Sequence, residues 1–170
     1  MPELKTSCTL AGTIDQEPEA NDVVRNVASE VLETMFFTEA EPAPCEHAWL
    51  ASGACARARF TGSHMGEMLL AVSGEAMVPI AASFLGLEAI ELTGAQQGQV
   101  LQELTNILCG AMLSRIWPQS KLAIAPPELT GWRDWQDVQV LHRCFVIPEG
   151  KLAISIRLIA QSTSPASAAG

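Results

Sequence analysis

The chain has no tyrosine, and phenylalanine and tryptophan together make up only 5% of its 170 residues. Stacking platforms for bases are built from aromatic side chains, so a single-strand nucleic-acid binder is poorly supplied. Basic residues are also scarce, 10 against 19 acidic, and the formal net charge is -9. Such a field repels phosphates and argues against non-specific binding to nucleic acid or to an anionic membrane surface. No apolar run approaches the ~20 residues of a bilayer span. The two most apolar stretches, 66–90 and 101–117, are broken by Glu67, Glu75 and Pro79 and by Glu103, Asn106 and Arg115. No basic segment followed by an apolar run opens the chain, so no secretory leader is read there. The five cysteines, Cys8, Cys45, Cys55, Cys109 and Cys144, include no C-x-x-C pair, and His47, His64 and His142 give no H-x-H or H-x-x-x-H spacing. Neither a zinc site nor a disulfide framework is expected, and reduced thiols in a cytoplasmic protein are the simplest reading. Gly-x-Gly-x-x-Gly and Walker patterns are missing too, which leaves a nucleotide site unsupported.

What is present reads as one domain. Residues 1–20 are polar and acidic and are expected to form a loose arm; 21–161 form the domain; the small, polar stretch 162–170 reads as a disordered tail. Asn21 or Asp22 is placed to cap a helix whose Val24, Val27, Val31, Thr34 and Met35 share one side. Residues 39–46, with Pro42 and Pro44, read as a linker. Residues 48–60 and 65–72 read as a hairpin around Thr61-Gly-Ser-His64. Ser73 opens a second helix that stops at Gly86, and Thr93 caps a third that runs to Ile116 before Trp117-Pro118. Short strands follow at 121–125, 137–147 and, by clean alternation, 152–158. The resulting order, α-β-β-α-α-β-β-β, predicts an α+β domain with helices packed on an antiparallel sheet. Trp132 and Trp135 lie in a loop and read as core anchors or a partner contact.

The third helix carries the best candidate site. At 3.6 residues per turn, Val100, Leu101, Leu104, Ile107, Leu108, Ala111 and Met112 fall on one broad arc, the expected core face. Gln99, Glu103, Asn106 and Gly110 fall opposite, with Glu103 and Asn106 adjacent. A glycine inside a helix costs ~1 kcal/mol against alanine, so close approach by another backbone is expected at Gly110. Cys109 reads as a small packing residue. A Glu and an Asn on an exposed helix face are, by themselves, ordinary surface residues.

Glu103-Leu-Thr-Asn106-Ile-Leu-Cys-Gly110, in a long helix of a small α+β domain, resembles the E-x-x-N motif of the CheC/CheX/FliY chemotaxis phosphatases. The segments Ser29-Glu-Val-Leu-Glu-Thr-Met35 and Gly74-Glu-Ala-Met-Val-Pro79 are similar to that family as well. The likeness spans residues 20–160 and is closest to the stand-alone CheX branch. It departs from the CheC-type pattern at Gln99, where Asp or Ser stands, and at Pro126 and Pro127, which fall two or three residues short of the family proline. The first helix has Glu30 and Glu33 but no paired asparagine, so a single site is implied. The resemblance implies hydrolysis of the aspartyl phosphate of a CheY-type response regulator. Asn106 would position the attacking water, Glu103 would contact the regulator's lysine, and Gln99 and Gly110 would flank that contact. No cofactor is implied in this chain, since the regulator brings its own Mg2+. The resemblance also implies a cytoplasmic homodimer joined through its sheets. The competing readings are a non-catalytic module that binds a receiver domain and, more remotely, a purely structural dimer.

Overall fold

The computed structural model describes residues 18–135 and 141–159. The expected arm to residue 17, the tail 162–170 and the first residues of the strand at 137–147 lie outside them. Within them the chain runs α1 (Pro18–Phe36), β1 (Glu41–Ala43), β2 (Ala54–Gly62), β3 (Gly66–Val72), α2 (Gly74–Leu85), α3 (Gly94–Ile116), β4 (Leu122–Ile124), β5 (Glu128–Thr130), β6 (Leu141–Ile147) and β7 (Gly150–Leu158), with 3-10 turns at Ala89–Glu91 and Trp132–Trp135. The predicted α+β class holds. Two short strands join the expected order: β1, inside the stretch read as a linker, and β5.

The strands form one antiparallel sheet in the order β1-β6-β7-β3-β2-β4, with β5 also pairing β2. The strand read as 48–60 begins only at Ala54; residues 47–52 are turns. A tryptophan and several small residues alternate there no better than a turn does, and the real strand starts where Cys55, Ala58 and Phe60 can be buried. The central strand β3 is buried along its whole length, as a strand covered on both faces must be. Met68, Leu70 and Val72 meet the helices, whereas Leu69 and Ala71 join Leu50, Cys55, Trp132, Cys144 and Ala153 in a second, smaller core on the other face. The terminal hairpin of β6 and β7 is flanked by β1 and β3.

The helix boundaries follow local chemistry. Thr93 and Gln96 form a capping box on α3, with Gln96 N–H donating to Thr93 Oγ1 at 3.2 Å and Thr93 N–H to Gln96 Oε1 at 2.8 Å. Gly86 ends α2 in the left-handed conformation at φ 64°, which favours glycine. Ser73 precedes α2 as expected but makes no cap bond; its Oγ accepts from Lys151 N–H at 3.0 Å. α1 starts at Pro18, before the predicted caps, and Asn21 inside it accepts a hydrogen bond from Arg143. Its buried side is Val24, Val27, Ala28, Leu32 and Phe36, while Thr34 and Met35 face solvent. The buried face is rotated from the expected Val24, Val27, Val31, Thr34 and Met35 side because the larger Leu32 and Phe36 turn toward the core.

Candidate functional site

α3 is held from several sides. Val100, Leu101, Leu104, Thr105, Leu108, Cys109, Met112 and Leu113 are buried. Thr105 lies inside because its hydroxyl donates to the Leu101 carbonyl at 2.7 Å, leaving no polar group unsatisfied. Ile107 and Ala111, expected on the core arc, are half-buried instead, and Cys109 and Leu113 take the deeper positions. The arc is displaced because α1 and α2 pack on α3 in addition to the sheet below. At its far end Arg115 pairs with Glu30 of α1, which anchors the two helices at the surface. Cys109 is a packing residue, as read from the sequence; burial pushes its thiol up to about 12.

The remaining stripe of α3 faces outward. Gln99 and Glu103 are exposed, and Asn106 and Gly110 are half-buried. Helical spacing sets Glu103 and Asn106 side by side, with Gln99 a turn before and Gly110 a turn after. Among the described residues, neither the Glu103 carboxylate nor the Asn106 amide makes a hydrogen bond or ion pair. Next to them Gln102 donates to the Pro127 carbonyl at 2.7 Å, which draws the Pro126-Pro127 segment against α3. The expected close backbone approach at Gly110 is not observed. An added Cβ there would meet only Ile124 Cδ1 at 3.7 Å, an ordinary contact. Gly98 is the tighter position, with Leu129 Cδ1 at 3.0 Å from an added Cβ. A cleft of about 310 Å³ opens near that glycine, lined by Cys55, Met77, Gln97, Leu101 and Leu129 among others. Glu103 and Asn106 do not line it. They stand on a convex helix face, a geometry suited to a macromolecule rather than to a small enclosed substrate.

Scattered residues of the sequence converge on the opposite face of the sheet. Cys45 and Cys144 form a disulfide with Cα atoms 5.2 Å apart, which corrects the expectation of reduced, scattered thiols. The ninety-nine-residue separation hid the pair. β1, the strand missed in the sequence, brings them together by pairing with β6. His142 lies beside them, its Nε2 3.5 Å from Cys144 Sγ and its Nδ1 2.6 Å from Ser155 Oγ. Burial, then the neighbouring charges of His47 and Arg143, push His142 down to about 4. The readable signal was the mirrored pair Cys45-Glu-His47 and His142-Arg-Cys144. His64, the third histidine, is elsewhere, stacked on Trp117 with ring centroids 4.2 Å apart.

Three helices cover one face of an antiparallel sheet, and the longest carries Glu103 and Asn106 on its outward stripe, an α+β architecture shared with solved CheX and CheC-like structures. The chain belongs to the CheX family: the family described as chemotaxis phosphatase CheX matches residues 54–148, more than half of the sequence. No curated protein matches the chain in sequence. Among solved structures, CheX from Vibrio vulnificus is similar over 83% of this chain and 97% of its own, with a TM-score of 0.67 and 19% identity. CheX from Desulfovibrio desulfuricans covers 83% of this chain and 99% of its own, with a TM-score of 0.67 and 15% identity. The CheX–CheY–BeF3–Mg2+ complex from Borrelia burgdorferi matches over 82% of this chain and 97% of that one, with a TM-score of 0.62 and 17% identity. At these identities the structural likeness establishes the fold. Among the described residues, no helix is long and apolar enough to cross a membrane.

Proposed function

We propose that this chain is a cytoplasmic phosphatase that hydrolyses the aspartyl phosphate of a CheY-type response regulator, in chemotaxis or a related two-component pathway. The observation that carries the reading is the Glu103–Asn106 pair on the outward stripe of α3, whose side chains have no hydrogen-bond or ion-pair partner among the described residues. Family membership supports it, as does the fold shared with a CheX that is complexed with CheY. An aspartyl phosphate is a reactive acyl phosphate, so the residual task is to hold a water in line with phosphorus, which is positioning rather than covalent chemistry. The Asn106 amide both donates and accepts hydrogen bonds, and it adds no charge beside the phosphoryl oxygens. Glu103, one turn before it, takes the partner's lysine in a charge-assisted contact. Gln99 and Gly110 flank that contact; the missing side chain at Gly110 lets the partner approach the helix. Mg2+ belongs to the regulator in this scheme, and α3 needs no metal ligand of its own.

Phosphate release from an acetyl-phosphate-charged receiver, with and without the protein, tests the reading. Acceleration that disappears in Asn106→Ala supports it. Receiver binding without acceleration points instead to a non-catalytic receiver-binding module, the reading favoured by Gln99, which stands where the family pattern has Asp or Ser. The proposal includes a homodimer whose α3 stripes stay free, giving two independent sites. Light scattering at micromolar concentration should give twice 18.2 kDa, and a mass of 18.2 kDa would remove the dimer.

A further inference from the structure

The face of the sheet turned away from the helices gathers three soft or borderline ligands, Cys45, His142 and Cys144, with His47 beside them. Cys45 and His47 lie in the segment leaving β1, and His142 and Cys144 lie on β6. Strand alternation puts His142 and Cys144 on the same side. Ala43 stands opposite Cys144 in the register, which brings Cys45, two residues on, to the same place. The ligand atoms of Cys45, His142 and Cys144 all lie within 4.8 Å of one another. His142 Nε2 and Cys144 Sγ are 3.5 Å apart. Two ligands on one tetrahedral zinc, with Zn–S about 2.3 Å and Zn–N about 2.0–2.1 Å, are separated by about 3.5 Å. The His47 ring stacks on that of His142 at a centroid distance of 5.8 Å. Ser155 Oγ, 2.6 Å from His142 Nδ1, supplies the outer hydrogen bond that fixes the tautomer of a ligating imidazole and leaves Nε2 for the metal. Trp132 packs beside both rings, at 5.3 Å from His142 and 6.2 Å from His47.

We infer that, with its two thiols reduced, Cys45, His142 and Cys144 hold a zinc ion, with His47, two residues after Cys45, moving in as the fourth, tetrahedral ligand. The disulfide and the metal exclude one another, because zinc takes both sulfurs as thiolates and the disulfide leaves neither. Binding releases the two thiol protons to solvent and changes no oxidation state, so it requires no electron acceptor. In a reducing compartment, where an ordinary disulfide does not persist, zinc takes over the cross-link between β6 and the segment after β1.

The full chain, reduced with a phosphine and stripped of metal, is dialysed against Zn2+, and metal per chain is measured by elemental analysis. Parallel samples are titrated with Co2+ and read by absorption, with folding followed by circular dichroism. The expected result is about one zinc per reduced chain and none per oxidised chain, and a sulfur-to-cobalt charge-transfer band with the visible bands of a tetrahedral ion. Cys144→Ser should abolish binding, and Ser155→Ala should weaken it about 10- to 100-fold while keeping the sulfur band. If Cys144→Ser does not fold, His47→Gln, at an exposed side chain, serves in its place, with weaker binding and an intact sulfur band. Several results overturn the inference: a folded reduced chain without zinc, a reduced chain that zinc fails to fold, or equal binding by the oxidised chain or by the Cys45→Ser/Cys144→Ser protein.

Discussion

Replacing Asn106 with alanine should move catalysis and stability in opposite directions. The Asn106 amide makes no hydrogen bond among the described residues and sits in the interior of a twenty-three-residue helix. Its removal therefore strands no partner and opens no core cavity. Alanine is the better helix former, by about 0.5 kcal/mol against asparagine. For a domain of this size that raises the melting temperature by about 1–2 °C. The rate of receiver dephosphorylation should meanwhile fall about 100-fold or more, the usual cost of losing the group that holds a reactant in line. Leu104→Ala, two residues away on the same helix, is the opposite case. Leu104 is fully buried, and its truncation should cost about 2–5 kcal/mol. Thermal unfolding by circular dichroism and phosphate release from a charged receiver measure both quantities. An Asn106→Ala protein that melts several degrees lower would make the residue structural. One that keeps the wild-type rate would remove it from the site.

Glu103→Lys should weaken receiver binding, measured by calorimetry, more than Glu103→Gln does, because a reversed charge repels the partner's lysine whereas glutamine only loses the ion pair; equal affinities would take Glu103 out of the contact. Cys55 and Cys109 are buried, and desolvation pushes their thiols up to about 11 and about 12, so in a Cys8→Ser background a thiol reagent at pH 8 should modify neither until the protein is unfolded. His142 is lowered from 6.5 to about 4, so its contribution to stability is fully present above pH 6.5 and is lost as pH falls toward 4, where the unfolded chain takes up a proton that the folded one refuses. Denaturant titrations of the oxidised protein should show a stability slope across that window that is shallower in His142→Gln; parallel slopes would refute it.

The helices were legible because their signals are local. Thr93 with Gln96 marks the start of α3 within four residues, and Gly86 marks the end of α2 by its φ alone. The α3 stripe was legible for the same reason, since four residues at helical spacing share a face whatever surrounds them. The errors have one physical origin: each feature misread depends on partners far away in the chain. Three-residue strands such as β1 and β5 carry no periodicity of their own; they exist because β6 and β2 offer them backbone partners. The displaced core arc of α3 reflects α1 and α2 packing on it. The Cys45–Cys144 pair needs both the missed strand and its register before its two halves meet.

The same distinction separates the two faces of the sheet. On the helix side, Glu103 and Asn106 of α3 have no side-chain partners among the described residues, although each could bond a neighbour or be replaced by a better helix former. Groups kept unbonded on a rigid, well-packed helix are preorganised for something outside the chain. On the other side Glu67 and His142 are both partnered. Glu67, almost fully buried, would be raised by burial, but Arg157, Arg59 and Arg57 hold it below the usual carboxylate range. His142 is tied to Ser155 and set against Cys144. The proposed partner-facing stripe and a cross-linking cluster can therefore coexist in one small domain, because the sheet between them isolates groups turned outward from groups that close on the chain itself.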